Sequence, residues 1–114
     1  MAKGPDTIIV PVRDLVATTA LYRALLGAAP TVESQWYVGF EAEGRHLGLD
    51  PNGHAAGMTG PVAFWRVASI DAAVAAMVTA GATVRQAARE VGGGRSVATL
   101  ADGDGNPIGL MEDG

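Results

Sequence analysis

Hydrophobic and polar positions along the 114 residues fall into two successive cycles, each opening on an apolar strand that passes into a helix. Thr7-Ile8-Ile9-Val10-Pro11-Val12 is β-branched and apolar, which reads as a strand. Pro11 has no N–H to give a ladder, so it marks a strand end or an edge. Asp14 stands where a helix N-cap belongs. From there Leu15, Thr18, Tyr22, Leu25 and Leu26 recur at helical spacing. Gly27 closes the run, and Pro30 prevents its resumption. Three strands are expected next, a weak one at 31–33, then 36–41 and 45–49, with Glu43-Gly44 as the hairpin turn between the last two. Residues 50–60, rich in Gly, Pro and Asn, read as a loop.

The pattern then restarts. Residues 62–67 form an apolar strand, Ser69 is a good N-cap, and Asp71 sits in the first turn where the helix dipole favours it. Ile70, Ala73, Val74, Met77 and Val78 make one helical stripe closed by Gly81. Thr83-Val84, a Gly-rich hairpin at Gly92-Gly93-Gly94, and strands at 96–100 and 108–111 follow. Val12 lines up with Val67, Leu15 with Ile70, and Leu47-Gly48-Leu49 with Ile108-Gly109-Leu110, a repeat of about 55 residues. The expectation is one α+β domain over 1–114 made of two βαβββ repeats (about 6–50 and 61–112, joined by the loop 51–60). The repeats would form a curved mixed sheet, with helices on the outer face and a concave cleft on the other.

Composition narrows the function. Hydrophobic residues at 48% against 18% charged supply a core and exclude a disordered chain. No cysteine is present, which removes disulfides, thiolate metal sites and a Cys nucleophile. A net charge of −4, with eight scattered Lys and Arg, argues against nucleic acid as a partner. No apolar stretch approaches the ~20 residues of a membrane span, and the first six residues carry no secretory pattern, so a cytoplasmic location without membrane contact is expected.

The first half carries Val-x-Val-x-Asp-Leu at Val10 to Leu15 and Leu-Tyr-x-x-Leu-Leu-Gly at Leu21 to Gly27. The second carries Ser69-Ile70-Asp71-Ala72-Ala73, Ala80-Gly81-Ala82, and the ending Asp102-Gly103-Asp104-Gly105-Asn106-Pro107-Ile108. In order and spacing, over nearly the whole chain, this resembles the vicinal oxygen chelate superfamily, which includes glyoxalase I, extradiol dioxygenases and bleomycin-resistance proteins. The resemblance implies four metal-binding positions on inner strands. They fall here on Thr7, Gly48, Val62 (or Pro61, one residue out of register) and Gly109, which offer no imidazole and no carboxylate. A Thr hydroxyl is a poor ligand for zinc or a catalytic transition metal. The expectation is therefore no metal, no cofactor and no assigned catalytic residue. The two glycines would clear cleft volume for a ligand or a neighbouring backbone.

The residues expected to line the pocket are Thr7, Ile9, His46, Phe64, Arg66 and Met111. His46 shares strand parity with Gly48, and there it either meets a ligand or is an ordinary strand-end histidine. Phe64 would be a stacking wall and Arg66 an anion or hydrogen-bond partner, while Trp65, of opposite parity, packs under the helix. Trp36 is ambiguous and His54 lies in a Gly-rich loop; for each a packing or loop role is the simpler reading. Asp102 to Asn106 lacks the twelfth-position Glu and flanking helices of a calcium loop, and reads as a tight turn. Gly92-Gly93-Gly94 is no phosphate loop, and no Ser-His-Asp set is visible. Glu41 and Glu43 flank a turn as solvated carboxylates.

Three functions remain open. The first is a binding protein that sequesters a small organic ligand, an antibiotic or a metabolite, and pairs as a homodimer, as the resembling proteins commonly do. The second is an enzyme, either a metal-free isomerase or a lyase or dioxygenase relative with unusual ligands such as His46 and Glu112. The third is a partner domain without a ligand cleft.

Overall fold

Each stretch of alternating residues becomes a strand with one face on a helix, and the two halves repeat the plan. The computed structural model describes residues 2–114. The elements are β1 (Lys3–Pro11), α1 (Leu15–Leu26), β2 (Val32–Glu33), β3 (Val38–Ala42) and β4 (Arg45–Asp50), followed by β5 (Val62–Arg66), α2 (Ile70–Thr79), β6 (Thr83–Gly92), β7 (Arg95–Ala101) and β8 (Pro107–Glu112). They group into two compact units, residues 6–62 and residues 63–114 with the extreme N-terminal segment.

In the first unit the strand order is β2-β3-β4-β1. β1 runs parallel to β4, and the other pairs are antiparallel. In the second the order is β5-β8-β7-β6, with β5 parallel to β8. Both are βαβββ modules of an α+β protein. The strand-to-helix corner is built alike in each. Val12 donates its N–H to the Asp50 carbonyl at 3.0 Å, and Val67 donates to the Met111 carbonyl at 2.8 Å. Both valines are buried. Asp14 and Ser69 cap their helices as expected, their side chains accepting from the N–H of Ala17 and Ala72. Gly27 ends α1 at φ 64, a left-handed conformation that glycine adopts without steric cost.

Each core lies between one helix and one sheet face. Val12, Val38, Phe40 and Leu49 are buried together in the first unit, with Val10, Leu15, Tyr22 and Leu47 packed against them. Val67, Ile70, Ala98, Leu100 and Leu110 form the core of the second, joined by Trp65, Ala73, Val74 and Met77. Trp65 therefore sits beneath α2, as its parity requires.

Three elements differ from the sequence reading. The stripe of α1 is narrower: Leu15, Thr19 and Tyr22 face inward, whereas Leu25 is 75% exposed. Residues 34–37 form a turn, so β3 begins at Val38 and Trp36 projects into solvent at 74% exposure. The Ser34 hydroxyl accepts from the N–H of Trp36 and Tyr37 and so offers this backbone an alternative to the ladder. β6 reaches from Thr83 to Gly92 because it pairs along the whole of β7, with register shifts that absorb its polar, poorly alternating sequence.

Candidate functional site

Alternation fixes what each sheet presents on the face away from its helix. Val38, Phe40, Leu47 and Leu49 point to the core, so Gly39, Glu41, His46 and Gly48 point the other way. Register then brings them together: Gly39 lies opposite Gly48, and Glu41 lies opposite His46. From β1, Thr7 pairs with His46 and Ile9 with Gly48.

The paired glycines form a floor without side chains, and Tyr37 and His46 lie across it. A Cβ on Gly48 would come within 2.0 Å of the Tyr37 hydroxyl oxygen and 2.7 Å of Ile9 Cδ1. A Cβ on Gly39 would come within 2.7 Å of His46 Cε1 and 3.3 Å of Tyr37 Cε2. The phenol and imidazole rings are nearly parallel, 7° apart in plane with centroids 5.9 Å apart. The Ser34 turn holds Tyr37 here, since Ser34 N–H donates to the Tyr37 carbonyl at 3.1 Å and the Ser34 hydroxyl accepts the Tyr37 N–H at 3.2 Å.

Hydrogen bonds link three side chains in a row. His46 Nδ1 meets the Glu41 carboxylate, and His46 Nε2 lies 2.5 Å from the Tyr37 hydroxyl. A carboxylate only accepts, so Nδ1 carries the proton and, in the neutral ring, Nε2 accepts from the phenol. Glu41 is thus a partner of His46, not the freely solvated turn residue expected from sequence. Tyr37 was missed although it fell inside the strand expected at 36–41, where it shares parity with Gly39 and Glu41. The signal that finds it is the sequence Ser34-x-x-Tyr37 ahead of two glycines in facing strands.

In the second unit Phe64 pairs with Gly109 and Arg66 with Met111, so these residues share the corresponding face. A Cβ on Gly109 would meet the Phe64 ring at 2.6 Å and the Ala63 carbonyl oxygen at 2.9 Å. The volume freed by Gly48 and Gly109 is therefore taken by this chain's own Tyr37 and Phe64. Arg66 and Arg95 both pair with the Asp113 carboxylate, which offsets the charge expected to meet an anion. Met111 is 1% exposed. Glu112 accepts the Ile70 N–H at 2.6 Å and so supports the start of α2. Two surface cavities of about 460 and 450 Å³ flank α1. None of the six expected pocket residues lines either one.

The resemblance assigns metal-binding positions to Thr7, Gly48, Val62 and Gly109. The Thr7 hydroxyl donates to Asp6, Val62 is buried and apolar, and the two glycines lie under aromatic rings. Among the described residues no three His, Asp or Glu side chains converge on a point. The Asp102 carboxylate instead accepts from the Asn106 side chain and from the N–H groups of Asn106 and Asp104, which makes a closed turn rather than a calcium loop.

A family model described as the glyoxalase/bleomycin resistance protein/dioxygenase superfamily matches residues 4–110. No curated protein matches the chain in sequence. Among solved structures, a superfamily member from Vibrio splendidus is similar at 15% identity and a TM-score of 0.71, covering 94% of this chain and 96% of its own. Methylmalonyl-CoA epimerase from Mycobacterium tuberculosis is similar at 19% identity and a TM-score of 0.72, covering 99% and 89%. The Streptomyces coelicolor epimerase, in complex with 2-nitronate-propionyl-CoA, gives 21% and 0.71 with 99% of each chain covered. At these identities the likeness establishes the shared fold.

Proposed function

The chain belongs to the glyoxalase/bleomycin resistance protein/dioxygenase superfamily, and from that premise we propose that it binds a small organic molecule without a metal ion. The ligand, an antibiotic or a metabolite, is held on the face that carries Ile9, Tyr37 and His46. One observation carries this reading: where the family's metal chemistry needs imidazole and carboxylate donors, this chain has Thr7, Gly48, Val62 and Gly109. Its one histidine on that face, His46, has both ring nitrogens engaged by Glu41 and Tyr37. What the face offers a ligand is a flat aromatic and imidazole surface, hydrogen-bonding groups and an apolar edge at Ile9. The Streptomyces relative, with its bound 2-nitronate-propionyl-CoA, supports a small organic ligand on this fold. We further take the working form to be a homodimer, which light scattering on the purified chain checks.

Metal analysis per mole of chain, on protein purified without tag or chelator, tests the central point. The expected result is no stoichiometric metal. Stoichiometric zinc, nickel, iron or manganese overturns the reading. A thermal-shift screen of aromatic antibiotics and metabolites then finds the ligand, because a molecule that prefers the native state raises the melting temperature. A second reading, metal-free isomerase chemistry, is favoured by the hydrogen-bonded row Tyr37–His46–Glu41.

A further inference from the structure

We propose that a second small-molecule site lies on the helix side of the first module, between α1 and the turn at 34–37, and that it takes an uncharged molecule with an apolar body and one hydroxyl. The cavity there measures about 450 Å³, within the size range of small-molecule sites. Leu15, Val16 and Ala20 from α1 and Val38 from β3 give it apolar walls. Leu15 and Val38 also pack in the core, so the floor is fixed. The opposite wall is fixed by the Ser34 turn, where the Ser34 hydroxyl accepts the Trp36 N–H at 3.1 Å and the Ser34 N–H donates to the Tyr37 carbonyl at 3.1 Å.

One group in the lining has no use in the fold. Thr19 is 7% exposed, yet among the described residues nothing hydrogen-bonds its hydroxyl oxygen, Oγ1. A threonine inside a helix ordinarily turns its hydroxyl to a carbonyl of the preceding turn. Here that bond is not made, and a buried hydroxyl without a partner costs free energy. Valine has nearly the same shape and would fill the position without that cost. A ligand hydroxyl placed against Oγ1 recovers it. Charge selects further. Arg23 and Glu33 stand at the rim with Nη2 and Oε2 3.6 Å apart, both about half exposed. Opposite charges so close together leave little net field to anchor an ion, which favours a neutral ligand. Val16, 82% exposed, and the exposed Ala20 form the mouth, so entry needs no opening of the core.

The test uses the full-length protein with ¹³C-labelled Thr, Leu, Val and Ile methyls, titrated with benzyl alcohol and, separately, with toluene, which has the ring but no hydroxyl. Benzyl alcohol is expected to give saturable shifts at the Leu15, Val16 and Thr19 methyls. Ala20→Leu, at an exposed helix position where the fold tolerates a larger side chain, fills the mouth and should abolish the shifts with both compounds. Thr19→Val removes only the hydroxyl. It should weaken benzyl alcohol about tenfold, the scale of one hydrogen bond, and leave toluene unchanged. Thr19→Ser keeps the hydroxyl and should keep the preference for the alcohol. The absence of saturable shifts at these methyls, shifts confined to Ile9 on the other sheet face, or shifts that persist in Ala20→Leu would overturn the site. A Thr19→Val protein that loses affinity for both compounds alike, or for neither, would overturn the role of the hydroxyl and with it the proposal.

Discussion

The two modules agree on the helix side of their sheets and part company on the other. In register, Val38 and Phe40 on β3 correspond to Ala98 and Leu100 on β7, and Leu47 and Leu49 on β4 to Ile108 and Leu110 on β8. All eight are apolar and pack in their cores. On the opposite face the same register sets Tyr37 against Val97, Gly39 against Thr99, Glu41 against Ala101 and His46 against Pro107. Only Gly48 and Gly109 match, each roofed by an aromatic ring. The repeat is preserved where it makes a core and diverges on the opposite face. The first module carries a polar, hydrogen-bonded row, while the second has Phe64 and an ion-paired Arg66.

If the helix sides are equivalent, core truncation costs the two modules alike. Phe40→Ala is expected to lose about 3–5 kcal/mol, and Leu100→Ala about 2–5, in denaturant unfolding. A loss confined to one of them would show that the modules are not equally built.

The glycines should separate the modules more sharply. Gly48→Ala forces the Tyr37 hydroxyl away, at about 1–3 kcal/mol. Adding Tyr37→Ala should recover much of that, since most of the clash is with one side chain. Gly109→Ala meets the Ala63 backbone carbonyl as well as Phe64, so Phe64→Ala should rescue it less. Equal rescue in the two double-mutant cycles would contradict the geometry.

The turns before β4 and β8 give the smallest effects. Glu43 holds a left-handed φ of 51 beside Gly44 at 79, so Glu43→Gly should raise stability by less than about 1 kcal/mol, independent of pH. The Asp102 carboxyl is held below its ordinary value of 3.8, first by the Asn106 side chain and then by N–H groups of the same turn. A lowered folded-state value stabilises the native protein above pH 3.8, and that contribution disappears as pH falls through the folded value. Asp102→Asn should therefore melt below wild type at neutral pH and converge with it under acid conditions.

The repeat, both helix caps and the strand parity of β4 and β5 were legible in sequence, because strand parity and N-cap chemistry act over a few neighbouring residues. Parity also placed His46 with Gly48 and Trp65 under α2. Tyr37 was overlooked within the expected strand 36–41, and the role of Glu41 was not legible. Tyr37 reaches the site from a turn set by the Ser34 hydroxyl, and Glu41 meets His46 only once the β3–β4 register is fixed. Leu25 fits the helical spacing of α1 but stays 75% exposed, beside an open surface cavity that it lines with Leu21, Tyr22 and Val10.

The most direct test is calorimetric titration of a compound from the thermal-shift screen, in excess chelator, against wild type and His46→Ala. The account predicts that chelator leaves wild-type binding unchanged and that His46→Ala weakens it about tenfold, the value of one hydrogen bond. Binding that needs an added divalent ion, or that is indifferent to His46, would contradict it.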